Sequence, residues 1–117
     1  MSKTLPTGAA KTFRRQIEAF REHVHGEIHP VQMMVFVEVC TRPPLSVNAT
    51  YIQHELGLSQ AAASRACRAL SERASPSREG YGLCRWVGVP EDARAKYLEL
   101  TEKGEEVRDK LREVFTK

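Results

Sequence analysis

Gln60, Ser64, Arg65 and Arg68 bring an amide, a hydroxyl and two guanidinium groups into one short stretch. If a helix starts at Gln60, rotation of about 100° per residue sets these four with Ala61 on one face. Ala63, Ala66, Cys67 and Leu70 fall on the opposite face. The first face can exchange hydrogen bonds with base edges and phosphates; the second is small and apolar and can lie on its own domain. Catalysis is not expected, because no Ser, Cys or Asp stands with a His in a nucleophile signature. A phosphate-binding glycine loop is also missing, and no carboxylate pair reads as buried.

A face of this kind needs a frame, and residues 48–71 supply one. Asn48 is placed to cap a first helix that turns Tyr51, Ile52 and Leu56 inward. Gly57 ends it in the left-handed conformation, and Ser59 is placed to cap the helix that follows. The spacing is similar to a helix-turn-helix, with Ile52, Leu56-Gly57, Ala63, Ser64-Arg65 and Leu70 on its pattern. Gln53 departs from it, since Ala or Gly is usual there. The larger side chain is expected to push the helices apart unless Ala61-Ala62-Ala63 makes room.

The 117 residues suit a single domain. No apolar run is long enough to span a bilayer, and Met1–Ala10 lacks the apolar core of a secretory signal, so a cytoplasmic location is expected. Cys40, Cys67 and Cys84 are odd in number and widely spaced, which fits reduced thiols. The net charge of +3 is unevenly placed. Between residues 59 and 89, Arg65, Arg68, Arg73, Arg78 and Arg85 face only Glu72 and Glu79, a local field suited to a polyanion.

Taken in order, residues 1–9 read as a loose tail and 10–26 as a helix with the stripe Phe13, Ile17, Phe20 and Val24. Residues 30–41 are apolar on nearly every side; periodicity allows a buried strand, and the opening Pro30 and the length favour a buried helix. Thr41-Arg42-Pro43-Pro44 stops it. After the two helices of 48–71, residues 74–82 break regular structure. Residues 83–100 alternate as two strands about a polar turn at Pro90–Ala93, and 101–116 read as a helix capped by Thr101 with the stripe Val107, Leu111, Val114 and Phe115.

Val89-Pro90-Glu91-Asp92-Ala93-Arg94-Ala95 and Leu98-Glu99-Leu100-Thr101-Glu102-Lys103-Gly104 resemble the wing and following helix of the MarR family of bacterial transcription regulators. That family carries Asp-x-Arg at the wing tip and Leu-Thr-x-x-Gly where the second strand becomes a helix. Gln32 with Phe36 also matches, and the resemblance runs from about Ile28 to Val107. It implies a mainly α fold with a small β-hairpin. The architecture would be a winged helix-turn-helix: a three-helix core plus wing, flanked by N- and C-terminal helices. It implies double-stranded DNA as partner, with Gln60, Ala61, Ser64, Arg65 and Arg68 at the major groove and Arg94 in the minor groove, presented by a loop that Asp92 holds. The expected function is a sequence-specific regulator, more often a repressor, in a bacterial cell or carried by a phage or plasmid.

Three departures accompany the resemblance. The segment 74–82 is inserted where members have a short link, as an added contact or a loose loop; Ala93 replaces a second arginine; and typical members continue past the position of Lys117 with a helix that completes a dimer. A homodimer is expected through the stripes Phe13, Ile17, Phe20, Val24 and Val107, Leu111, Val114, Phe115, the alternative being that they pack on each other within one subunit. The rival function is a protein-interaction module docking on RNA polymerase or another regulator. No cofactor is expected, and no effector is indicated. His23, His25 and His29 straddle Gly26 and form no recognised ligand set, so no metal is expected. Tyr81 and Trp86 are read as packing residues rather than base-stacking platforms.

Overall fold

The computed structural model describes residues 3–117, with the side chain of Ala93 outside the described set. The expected loss of a phosphate contact at Ala93, and Met1 and Ser2 of the tail, therefore fall outside the described residues. Among the described residues the protein is mainly helical, with five helices and two small antiparallel hairpins, the second of them compatible with a wing. In chain order the elements are α1 (Thr7–His23), α2 (Pro30–Thr41), α3 (Ala49–Leu56), α4 (Gln60–Leu70), β1 (Arg73–Ser75), β2 (Arg78–Glu79), β3 (Cys84–Val89), β4 (Asp92–Leu100) and α5 (Glu102–Phe115). No described helix is long and apolar enough to cross a membrane.

The core forms where α4 packs between α2 and α3. Val35, Phe36, Ile52, Ala63, Cys67, Leu70 and Leu83 are fully enclosed there. Residues 30–41 are a helix, as chosen, although Met34 remains 47% exposed. Its start is fixed by a pair of bonds the sequence did not advertise: His29 Nδ1 accepts from Val31 N–H at 3.1 Å, and Gln32 Oε1 accepts from His29 N–H at 3.0 Å. At its other end Tyr51 Oη donates to Glu38 at 2.5 Å while the Arg42 guanidinium lies 5.1 Å from the Tyr51 ring centre. These contacts clamp α3 on α2. The bond to the Glu38 carboxylate also raises the Tyr51 pKa above its ordinary value.

Helix α1 starts at Thr7, not Ala10, because Pro6 accepts the Ala10 N–H at 3.0 Å and opens the first turn. The chain leaves it after His23, before Gly26 is reached. α1 packs against α5 within the subunit, burying Phe20, Val107 and Leu111 and partly covering Ile17, Val24 and Val114. Phe20 meets Phe36 and Phe115 edge-on, at 6.4 and 6.3 Å between ring centres. The within-subunit alternative thus accounts for most of both stripes. Phe13 and Phe115 stay 64% and 42% exposed.

The largest departure from the sequence reading is at 74–82, which is not irregular. β1 and β2 pair antiparallel there, with Arg73 opposite Glu79 and Ser75 opposite Arg78. The chain then returns along the end of α4, and Gly80, Tyr81, Gly82 and Leu83 donate their N–H groups to the carbonyls of Glu72, Ala69, Ser71 and Leu70 at 2.8–3.0 Å. Helix ends leave carbonyls without intrahelical partners, and here the returning chain satisfies them. Only glycine fits at 80, because a Cβ there would sit 2.0 Å from the Ser71 carbonyl oxygen.

Candidate nucleic-acid interface

The turn between α3 and α4 is built as its residues dictate. Asn48 Oδ1 accepts from Tyr51 N–H at 2.8 Å, Gly57 adopts φ 66°, and Ser59 Oγ accepts from Ala62 N–H at 3.1 Å. Gln53 is half-buried without parting the helices, since Ile52 and Ala63 on either side of the joint are both at 0% exposure.

α4 divides as its periodicity requires. Ala63, Ala66, Cys67 and Leu70 are at most 6% exposed, and Gln60, Ala61, Arg65 and Arg68 are exposed. Ser64 is half-buried, at the margin of the outward face. None of Arg65, Arg68, Arg73, Arg78, Arg85 or Arg94 makes an ion pair among the described residues, whose pairs are Arg14–Glu18, His23–Glu22 and Arg108–Asp109. The cations of this region are therefore available to an outside anion. Sequence reasoning counted Arg73, Arg78 and Arg85 in the local charge but did not nominate them as site residues; their density between 59 and 89 was the signal.

Two clefts flank α4. One, of about 640 Å³, lies between its C-terminal end and β3 and is lined by Arg68, Arg73, Arg85 and Trp86. The other, of about 790 Å³, separates α4 from the β1–β2 hairpin and the start of α2, with Arg65, Arg68, Arg78, His25, His29 and Tyr81 on its walls. Arg68 lines both, and its Nε–H donates to the Ala74 carbonyl at 3.4 Å. Tyr81 is structural rather than a stacking platform. Its hydroxyl donates to Gln32 Oε1 at 3.1 Å and its ring lies 5.8 Å from that of His25, centre to centre. Trp86 is 37% exposed. Among the described residues no group of three or more His, Cys, Asp or Glu side chains is placed to hold a metal.

The β3–β4 hairpin is anchored at its inner end and irregular at its outer end. Leu83 and Cys84 are both buried, where alternation had put them on opposite sides, because the strand enters the core before its pleat begins to face water. Leu98 N–H donates to the Val47 carbonyl at 2.7 Å, tying β4 to the segment before α3. Thr101 Oγ1 accepts from Gly104 N–H at 3.1 Å and donates to the Gly82 carbonyl at 2.6 Å, so one hydroxyl caps α5 and holds the root of β3. At the tip the turn is confined to Pro90-Glu91, and β4 already begins at Asp92. Val89 pairs with Asp92 but Gly88 pairs with Lys96, so Ala93, Arg94 and Ala95 bulge from the ladder. Asp92 Oδ1 accepts the Arg94 N–H at 2.9 Å and fixes that bulge, leaving Arg94 exposed.

The three cysteines come together inside this frame. Burial raises the pKa of all three: Cys67 is pushed up to about 11 and Cys40 to about 12. Cys84 is raised by burial first and then by the nearby Cys40 and Cys67. Buried thiols of this kind are neutral and unreactive at physiological pH.

No protein-family model matches the chain, and no curated protein does either.

Proposed function

We propose that the protein is a sequence-specific, double-stranded DNA-binding transcriptional regulator of the winged helix-turn-helix type, similar to the MarR family, and that it acts mainly as a repressor by occupying a promoter. In this reading α4 is the recognition helix and β3–β4 the wing. The observation that carries it is the two-faced character of α4: an apolar back seated on α2, and an outward row of Gln60, Ala61, Arg65 and Arg68 free of internal ion pairs. Ser64 reaches a base or phosphate from the edge of that row. Side chains of these types, on a capped helix that stands clear of its domain, are what a major groove accepts.

The wing supplies the second grip. At about 3.3 Å per residue, the ladder from Cys84 to Val89 carries Arg94 about 17 Å from the buried root, far enough to reach across a phosphate backbone to the adjacent minor groove. The narrow groove concentrates negative potential, which an exposed guanidinium meets without losing an internal partner. Asp92 acts through the bulge and touches no DNA.

A single module binds weakly at cellular salt, so the working unit is a homodimer on an inverted repeat. Phe13 and Phe115, the exposed remainder of the α1 and α5 stripes, are its proposed contacts. Action in the cytoplasm of a bacterial cell belongs to this reading through the likeness to the MarR family.

Selection from a pool of random duplexes tests the reading. The expected result is enrichment of one motif whose binding survives nonspecific competitor at moderate salt. Failure to retain any duplex would return the basic face to a protein partner such as RNA polymerase.

A further inference from the structure

The β1–β2 hairpin has a fixed root and a polar tip. Its root is stitched to the end of α4 by the backbone bonds of residues 80–83, and Ser71 Oγ donates to the carbonyls of Arg68 and Arg73 at 2.6 and 3.0 Å. The tip is Ser75-Pro76-Ser77-Arg78, with Ser77 N–H donating to Ser75 Oγ at 3.3 Å. We propose that this tip is a third contact with the DNA, in which Arg78 and the flanking hydroxyls hold a backbone phosphate beside the groove that α4 enters. The inference rests on the DNA-binding reading above.

Placement comes first. The hairpin cannot swing away from α4, because Gly80 packs with no room for a Cβ and Arg68 bonds to Ala74 across the gap. Arg65 and Arg68 of the outward row share the larger cleft with Ser75 and Arg78. A duplex seated on that row has its backbone beside the hairpin.

Charge decides what the tip can hold. The hairpin as a whole is neutral, with Glu72 and Glu79 against Arg73 and Arg78. Glu72 lies at the root and Glu79 directly across from Arg73, while Arg78, the last residue of the tip and next to Glu79, makes no ion pair among the described residues. Arginine and serine are among the usual phosphate contacts, which position a protein without reading sequence. A protein-docking loop would set a large aromatic or apolar anchor beside its arginine; Pro76 and Ser77 offer none.

The test uses the full chain, fluorescence anisotropy and a duplex selected by the wild-type protein, titrated with salt. Arg78→Gln removes one phosphate contact, so the slope of log affinity against log salt falls by about 0.9. Arg78→Lys keeps the charge and restores the slope. A second variant replaces 73–79 by Asn-Gly, joining Glu72 to Gly80, whose N–H and carbonyl are already 2.9 Å apart, and loses at least the same increment, since Arg73 leaves with Arg78. The selected motif stays the same in both Arg78 variants. An undiminished slope in both Arg78→Gln and the shortened chain, with wild-type binding intact, refutes the third contact and leaves the α4 reading standing. A changed motif in Arg78→Gln refutes a phosphate role in favour of base reading. If the wild-type protein retains no duplex, both proposals fall together.

Discussion

Gly104→Ala separates the packing account of this fold from one based on helix propensity, because the two predict opposite signs. Gly104 lies in the first turn of α5, where alanine would gain about 1 kcal/mol of intrinsic preference. Its missing Cβ, however, would sit 2.0 Å from the Leu83 carbonyl oxygen and 3.2 Å from Leu100 Cδ2. The first obstacle is backbone and cannot rotate aside. Restoring van der Waals contact requires α5 to retreat by about 1.4 Å or β3 to shift by as much, an overpacking cost of about 1–3 kcal/mol. Either movement strains the bond from Thr101 N–H to the Leu83 carbonyl at 3.0 Å and that from Thr101 Oγ1 to the Gly82 carbonyl at 2.6 Å, each worth about 1 kcal/mol. The balance is a net loss of about 2–4 kcal/mol, a large part of the stability of a domain this size. Urea unfolding followed by far-ultraviolet dichroism and by Trp86 fluorescence measures it. A variant equal to or more stable than the parent refutes the close approach of α5 to β3.

Arg94→Gln should weaken binding to every duplex and lower the salt slope by about 0.9, read by anisotropy; an unchanged slope removes Arg94 from the phosphate field. Ser64→Ala and Arg68→Ala should each shift the motif recovered by selection, and recovery of the parent motif by both would deny them base reading. Ser59→Ala should cost about 1 kcal/mol in urea unfolding through loss of the 3.1 Å cap, and a loss below about 0.3 kcal/mol would show the cap to be idle. The thiols set an alkaline limit. Their folded pKa values lie above the ordinary 9.0, so their contribution is intact below pH 9 and is lost as pH climbs toward 11 and 12. Unfolding free energy should therefore fall by about 2 kcal/mol or more between pH 8.5 and 10.5, with Cys67→Ala showing a smaller fall; a flat profile in the parent would refute their burial.

Much of the frame was legible because its signals are local. Asn48, Ser59 and Thr101 each cap the helix that follows, and Gly57 ends α3 in the left-handed conformation, since capping depends on one side chain and the backbone within a few residues of it. The α4 face was legible for a similar reason: helical rotation alone divides nine of its eleven residues between inside and outside. His29 was not legible as a cap, because histidine seldom serves there and its ring nitrogen works only with Gln32 reaching back. The β1–β2 hairpin was hidden because strands of three and two residues show no period. Nor could a stripe reveal its own cover, and Phe20 meets Phe115 across almost the whole chain.

The end of α4 is where these separate pieces become one device. Its last carbonyls accept from residues 80–83, Leu83 then receives the Thr101 N–H, and Gly104 closes α5 against the same carbonyl. The two hairpins and α5 are thus referred to a single junction, to which the Thr101 hydroxyl adds its bond to the Gly82 carbonyl. Apart from Arg68, which bonds to the Ala74 carbonyl, the side chains on the outward face of α4 and at the tip of β1–β2 lie beyond that junction and can vary without loosening it. Gly80 and Gly104 at the junction cannot, because a Cβ at either would sit 2.0 Å from a backbone carbonyl oxygen. A scaffold divided in this way keeps its elements at fixed separations while their tips change, which is the mechanical requirement for gripping a rigid, regularly repeating polymer at several places at once.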